Sequence, residues 1–330
     1  MRRREFIKWI GGAASWPLAA RAQHSIGSPA KMPRLGILVP FESSENLPAF
    51  DSGLQALGYM EGQNIVIERR YGDPKGEQLG ELAIELIKLK VEVIVAWSTP
   101  VALAAQQATG TIPVVAAVMA DPVNDGLVAS LARPGGNITG TTFLGPELVA
   151  KRLQLFREAI PKLSRVAALW HPHAYGERTM ASMSQEVEAS ARKLGMELQF
   201  VPAANPDELA GAFSKITEER AEALIVLPSP MLFSQYKSIV AFAASNRLPA
   251  VYQAREFVDA GGLMSYGANL AELFRSAASF VDKIFKGAKP SELPVEQPTR
   301  FELVINLKTA KDLGLTITRD FLLIADEVIE

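Results

Sequence analysis

The sequence predicts an α/β protein made of two doubly wound parallel-sheet lobes joined by a hinge of three chain crossings. Short apolar runs rich in β-branched residues, such as 91–96, alternate with segments of helical periodicity from residue 34 onwards. The same strand–helix plan restarts after Gly140. The chain has 330 residues, which exceeds the size of a typical single core. Two domains of similar design are therefore expected.

The first half is predicted to alternate strands and helices as β-α-β-α-β-α-β up to residue 118, after which a short helical piece and a fifth strand follow. Strands are expected at 34–39, 64–71, 91–96, 112–118 and 138–143, helices at 47–57, 79–89 and 101–108, and a short helical piece at 126–132. Pro100 suits the first turn of the helix at 101–108, where its missing N–H would have no partner. The alternation is typical of a doubly wound sheet with helices on both faces.

The second half follows the same plan up to residue 252, and the remaining segments complete both lobes. Helices are expected at 148–160, 179–194, 206–220, 231–246, 270–285 and 307–313, and strands at 165–170, 197–201, 223–227, 248–252, 262–266 and 301–306. We expect one lobe to contain residues 32–140 plus 262–288 and the other 141–261 plus 289–330. The chain then crosses between the lobes three times, which is typical of a hinge.

Composition excludes several classes of function. The 34 basic and 36 acidic residues leave a net charge of −2, so a nucleic-acid partner is not expected. Cysteine is absent, which excludes disulfides, thiolate metal sites and cysteine nucleophiles. His171 and His173 have metal-like spacing without further ligand candidates in sequence, so no metal and no cofactor is expected.

The first 22 residues have the three-part pattern of an export signal peptide. A positive segment with Arg3-Arg4 precedes a modestly apolar stretch, and Ala20-Arg21-Ala22 gives a small-x-small cleavage site. The arginine pair resembles a twin-arginine signal. No Cys follows the apolar stretch, so a lipid anchor is not expected. The pattern predicts a soluble periplasmic protein whose signal peptide is removed.

Candidate ligand-binding residues lie where predicted strands end, because open α/β sheets bind ligands beyond the carboxyl ends of their strands. They are Phe41, Glu42, Trp97, Ser98, Thr99, Asp121, Trp170, Ser229 and Tyr252. Ser98 and Thr99 precede a helix, so their hydroxyls and its N–H groups could bind a carboxylate or simply cap the helix. Asp121 could bind an ammonium or close the turn before Pro122. The aromatic residues could surround an apolar ligand or belong to the core.

Three motifs resemble one protein family. Asp121-Pro122-Val123 with GLVASLARPGGNITG at 126–140, GLMSYG at 262–267 and FELVINLKTA at 301–310 are similar to ABC-transporter substrate-binding proteins of the tryptophan/tyrosine-binding type. The resemblance covers essentially all of the chain after the signal. It implies a type I periplasmic-binding-protein fold, a small ligand between the lobes and delivery to an ABC permease and its ATPase in the inner membrane. A monomer that binds an amino-acid-like ligand is expected.

Two other functions are compatible with an exported α/β scaffold. One is a ligand-sensing module for a membrane receptor, and the other is an exported enzyme. Against the enzyme, the chain lacks G-x-S-x-G, H-E-x-x-H and a cofactor-binding glycine loop. A DNA-binding regulator would need a helix-turn-helix where this chain has its export signal. We therefore expect a binding protein and no enzymatic activity.

Overall fold

The computed structural model describes residues 32–41, 46–73 and 77–330. The predicted export signal, residues 1–22, and the predicted site residue Glu42 lie outside these residues. Strands and helices alternate along the described chain, and the strands form two sheets. This is the two-lobed α/β architecture that the sequence predicts.

The first sheet is fully parallel. Its strands are β1 (Arg34–Val39), β2 (Val66–Tyr71), β3 (Val93–Ala96), β4 (Val114–Met119) and β5 (Ile138–Thr142). They pair in the order β2-β1-β3-β4-β5, with every pair parallel. The interior strand β3 is buried at every position, because helices cover both faces of the sheet.

The helices of the described chain are α1 (Leu47–Ala56), α2 (Leu79–Lys88), α3 (Thr99–Ala108), α4 (Gly145–Ala159), α5 (Glu177–Lys193), α6 (Leu209–Glu218), α7 (Pro230–Ser234), α8 (Tyr236–Ser245), α9 (Arg255–Asp259), α10 (Leu270–Phe285), α11 (Leu307–Asp312) and α12 (Arg319–Leu322). Helices α2 and α3 pack on one face of the first sheet, and α1 and α10 pack on the other. The expected helical piece at 126–132 is instead a series of turns, in which Gly126 has a positive φ.

The second sheet is larger and mostly parallel. Its strands are β6 (Arg165–Trp170), β7 (Glu197–Pro202), β8 (Ala223–Val226), β9 (Ala250–Tyr252), β10 (Met264–Ala268), β11 (Phe301–Asn306) and β12 (Glu327–Ile329). They pair in the order β12-β11-β10-β9-β8-β6-β7, and the pair of β10 and β11 is antiparallel. Helices α4 and α5 contribute to the core on one face, and α6, α8 and α9 to the core on the other.

Strand β10 belongs to the second sheet, whereas the sequence analysis placed 262–266 in the first lobe. It pairs with β9 on one side and β11 on the other. The physical reason is local, because the short helix α9 makes β9-α9-β10 a βαβ unit, and consecutive strands of such a unit pair in one sheet. Helix α10 then packs against the first sheet and α1.

The segment before β11 also lies on the first lobe. The Val295 N–H donates to the Leu131 carbonyl at 2.7 Å, and Thr139 Oγ1 donates to the Leu293 carbonyl. The chain therefore crosses between lobes after β5, after β10 and before β11, three times in all. We propose lobe boundaries of 32–142 plus 270–297 for the first lobe and 145–268 plus 301–330 for the second.

Candidate ligand-binding cleft

A cleft of about 760 Å³, a volume that includes its open mouth, lies between the two lobes. Most of its lining comes from the carboxyl ends of parallel strands, where ligands bind in open α/β sheets. Pro40 and Phe41 follow β1, Trp97 and Ser98 follow β3, Val118 lies near the end of β4, Pro228, Ser229 and Pro230 follow β8, Gln253 follows β9, and Ala268 ends β10. The two sheets thus present their carboxyl edges to one shared space.

Aromatic rings form much of the first-lobe wall. Trp97 stacks on Phe274 of α10 with ring centroids 4.1 Å apart and an interplanar angle of 18°. Its edge meets Phe50 of α1 at 5.6 Å. Phe274 lines the cleft from α10, which packs against the first sheet after the chain leaves β10. The stack fixes a flat apolar surface at which another ring could pack.

A β-bulge directs Val118 towards the cleft. The pairing of β4 with β5 shifts between Ala116 and Met119, and Val118 has a φ of +59°. A β-branched residue rarely adopts this conformation, so the backbone here is strained. The Thr141 hydroxyl accepts a hydrogen bond from the Val118 N–H at 2.9 Å, which helps to hold the bulge.

The Ser98 hydroxyl has no hydrogen-bond partner among the described residues. Ser98 precedes α3 but makes no side-chain cap, and its Oγ is buried. The α3 N-terminus behind it carries a partial positive charge. The hydroxyl is therefore available to a ligand rather than committed to the helix.

Arg152 is the charged group of the described cleft lining. It projects from α4, is fully buried, and donates from Nε to the Tyr266 carbonyl at 2.7 Å. Its Nη1 and Nη2 atoms have no partner among the described residues. Burial lowers the pKa of the Arg152 guanidinium to about 9, so the group is charged at neutral pH but poorly compensated.

A carboxylate joins the lobes beside the cleft. Asp125 follows β4 in the first lobe, and its Oδ1 accepts a hydrogen bond at 3.0 Å from the N–H of Gly176, the residue that precedes α5 in the second lobe. Burial raises the pKa of Asp125 to about 6. The neighbouring Tyr175 lines the cleft, and burial raises its pKa as well.

The structure brings four of the predicted site residues into the cleft lining. Phe41, Trp97, Ser98 and Ser229 all face this space. The Ser229 hydroxyl also accepts a hydrogen bond from the Leu232 N–H and so caps α7. Whether these residues bind a ligand remains a prediction.

Thr99 and Asp121 lie outside the lining because other groups hold their side chains. Thr99 is fully buried, and its hydroxyl accepts a hydrogen bond from the Ala120 N–H at 2.9 Å. The Asp121 carboxylate accepts from the backbone N–H and the side-chain amide of Asn124, at 3.0 and 2.6 Å. Of the two roles that the sequence allows for Asp121, closing a turn fits its position in the structure.

Trp170 and Tyr252 also lie outside the lining. Trp170 packs edge-on against Phe200 of β7, with ring centroids 5.3 Å apart. Tyr252 is fully buried and stacks on Phe257 of α9 at 4.6 Å. Each is the last residue of its strand, and its ring packs against a neighbouring element of the second lobe. The predicted four-membered aromatic box is not assembled.

Sequence reasoning missed Arg152, although the sequence carries a signal for it. Val149, Arg152, Leu153 and Phe156 recur at helical spacing on the buried stripe of α4, so a charged residue interrupts an apolar face. An arginine is almost never fully buried unless it is paired, so this position stands out. Among the described residues, no group of three or more His, Cys, Asp or Glu side chains could hold a metal ion.

Two facing parallel-sheet lobes with an aromatic cleft between them define a two-lobed ligand-binding protein of the type I periplasmic fold. The family model described as ABC transporter substrate binding protein matches residues 44–329. The chain therefore belongs to this family of substrate-binding proteins, and it is a binding protein rather than an enzyme.

Similar proteins agree with this assignment. A tyrosine-binding protein of Clostridioides difficile is 26% identical over 267 residues, which cover 81% of this chain and 75% of that protein. The structure of an ABC domain from Streptococcus pneumonia in complex with L-Trp has a TM-score of 0.81 at 27% identity, covering 90% of this chain and 99% of the other. A conserved domain protein of Vibrio cholerae has the same TM-score at 28% identity, covering 90% and 100%.

No helix in the part of the chain that the structure describes combines the length and apolar composition needed to cross a membrane. Substrate-binding proteins of ABC transporters typically work outside the cytoplasm, and the described fold is compatible with that location.

Proposed function

We propose that the chain is the solute-binding component of an ABC importer and binds a small, carboxylate-bearing ligand with an aromatic or apolar body, such as an aromatic amino acid. The protein would work in the periplasm as a monomer after removal of residues 1–22. It would deliver the ligand to a permease and its ATPase in the inner membrane. The observation that carries the proposal is the aromatic cleft at the facing carboxyl edges of the two lobes.

The cleft chemistry favours an amphipathic small molecule over a sugar. The rings of Phe41, Trp97, Phe233 and Phe274 offer apolar contact, while Ser98 and Gln253 supply neutral polar groups. Aromatic pairs add about 0.5–1.5 kcal/mol each beyond burial. Micromolar affinity requires about 8.2 kcal/mol, so rings and polar groups from both lobes must act together. The L-Trp complex and the tyrosine-binding relative support an aromatic amino acid as the first candidate.

Calorimetry with L-tryptophan and L-tyrosine tests the proposal, with L-alanine and glucose as comparison ligands. We expect binding of at least one aromatic amino acid and none of the comparison ligands. Phe233→Ala should weaken that binding about tenfold or more, because it removes a half-buried ring from the cleft wall.

Phe242→Ala is the matched control for Phe233→Ala. Phe242 is also half-buried on a helix of the second lobe, but it stacks on Phe213 away from the cleft. This variant should lose stability without losing affinity. Failure of every aromatic carboxylate to bind, or an equal loss of affinity in both variants, would contradict the proposal.

A further inference from the structure

We propose that Arg152 binds the carboxylate of the ligand through its two Nη atoms and thereby selects anionic ligands. This inference deepens the proposed function and rests on it. From the sequence, Ser98 and Thr99 are the candidates to bind a ligand carboxylate. Only Ser98 lines the cleft, and it offers a single neutral hydroxyl.

The first support is that Arg152 is fully buried yet incompletely bonded. Of its three donor nitrogens, only Nε has a partner among the described residues, the Tyr266 carbonyl. A folded protein rarely buries a guanidinium in this state, because an uncompensated buried charge is unfavourable. A negatively charged group that enters the cleft would complete its hydrogen bonding.

The second support is the shape of the remaining donors. The bond from Nε to Tyr266 fixes the guanidinium plane, and Nη1 and Nη2 form the fork that matches the two oxygens of a carboxylate. The groups that face it are two tyrosines, Tyr175 and Tyr266. No Asp or Glu occurs among the described lining residues to compete with a ligand for this fork.

The third support comes from the other polar groups of the cleft that lack a hydrogen-bond partner among the described residues, Gln253 and Ser98. Gln253 Oε1 is buried and can only accept hydrogen bonds, while Ser98 Oγ can donate or accept. A ligand that places its carboxylate on Arg152 would need a donor for Gln253. An α-amino acid carries both groups on one carbon, whereas a simple alcohol or sugar lacks the anion.

Wild-type protein provides the first test, which needs no variant. Affinities for L-tryptophan and L-tryptophan amide are compared by calorimetry below the amine pKa of ~7.7, so that both ligands keep their ammonium group. We expect the acid to bind roughly 100-fold more tightly, as the loss of two charge-assisted hydrogen bonds implies. If the amide binds as tightly as the acid, the inference is wrong.

Variants of Arg152 then separate charge from packing. Arg152→Met keeps an unbranched side chain and should abolish the preference for the acid while changing amide affinity less than about threefold. Because it removes an unpaired buried charge, the Tm of the ligand-free protein should stay unchanged or rise. Arg152→Lys keeps the charge without the fork and should weaken acid binding about tenfold or more, even if Arg152→Met folds poorly.

Arg157→Met is the matched control, since Arg157 also lies on α4 and donates to a backbone carbonyl, that of Leu163, outside the cleft lining. It should leave the ratio of acid to amide affinity unchanged. If both Arg152 variants keep the wild-type ratio of acid to amide affinity, this inference is wrong while the proposed function still stands. If wild type binds neither L-tryptophan, L-tyrosine nor another aromatic acid, the proposed function fails first and this inference fails with it.

Discussion

Asp125 is a partly buried carboxylate at the contact between the lobes, and burial makes its negative charge less favourable. Its Oδ1 accepts from the Gly176 N–H, but its Oδ2 is buried without a partner among the described residues. Burial raises the pKa of Asp125 to about 6, the nearby Thr179 hydroxyl and the Gly176 N–H oppose the rise, and Asp121 adds to it. Ionisation of Asp125 is therefore less favourable in the folded protein than in the unfolded chain, although the carboxylate form still predominates at neutral pH.

The stability of the protein should depend on pH because the pKa of Asp125 is higher in the folded protein than in the unfolded chain. The folded protein binds a proton at Asp125 as pH falls through about 6, whereas the unfolded chain does so only near the ordinary value of 3.8. Because the folded state binds more protons in this window, the Tm of wild type should rise relative to that of Asp125→Asn as pH falls from about 8 to about 4.

Thermal denaturation of both proteins across that range is the measurement. Asp320→Asn serves as the control, since Asp320 is exposed on α12 and is not among the charges that act on Asp125. A Tm difference between wild type and Asp125→Asn that does not vary with pH would refute the assignment.

The sequence located the binding edge but not every side chain on it. Phe41, Trp97 and Ser98 lie one or two residues beyond their strands and reach the cleft, while Trp170 and Tyr252 end theirs and do not. A difference of only one or two residues along the chain thus separates the side chains that line the cleft from those that pack within the second lobe. Sequence periodicity places strand ends less accurately than this, so it could not separate the two groups.

At the scale of elements, the close approach of β5 to β4 depends on Gly140. A Cβ added at this residue would lie 1.9 Å from the Ala116 carbonyl oxygen, and its φ is +141°. Ala116 is also where the β4–β5 pairing shifts into the bulge that carries Val118. The glycine thus permits the local geometry that shapes one wall of the cleft.

Gly140→Ala should destabilise the protein strongly, by more than about 2 kcal/mol, because backbone must move to admit the methyl group. Gly80→Ala is the same substitution at an exposed position inside α2, where an added Cβ meets nothing within 4 Å. It should stabilise the protein slightly, by less than about 1 kcal/mol, because Gly80 lies in the first turn of α2. Urea denaturation of both variants measures the contrast, and a tolerated Gly140→Ala would show that the strands separate easily here.

Local sequence patterns predicted most helices and strands, but they did not predict which strands pair with each other in a sheet. The apolar pattern of 262–266 identifies β10 correctly as a strand, but it carries no information about which sheet it joins. That choice depends on α9, a helix of five residues that the sequence pattern did not reveal. The turns at 126–132 show a related limit, because helix-forming residues there yield to Gly126 and the following Pro134.

At the scale of the whole molecule, the three crossings define how the lobes can move. They lie close to the cleft, after β5, after β10 and before β11, so each lobe can rotate as a body while its own sheet stays intact. In the described form the lobes touch through Asp125 and Gly176, and Arg152 is fully buried. A ligand that reaches Arg152 must therefore enter while the lobes are apart.

Ligand binding should favour the form in which the lobes touch, and an engineered disulfide can measure this. The chain has no cysteine, so Asp125→Cys with Gly176→Cys introduces a single possible bridge. A Cβ added at Gly176 lies 3.6 Å from the Asp125 Cα, which is compatible with disulfide geometry. Under a mild oxidant, L-tryptophan should speed formation of this bridge, as followed by loss of free thiol. The pair Ala129→Cys with Gly135→Cys lies within the first lobe, where a Cβ added at Gly135 is 3.6 Å from the Ala129 Cβ, and it should oxidise at a rate independent of ligand. If L-tryptophan binds the wild type but leaves the rate of the first pair unchanged or slows it, binding does not close the lobes at this contact.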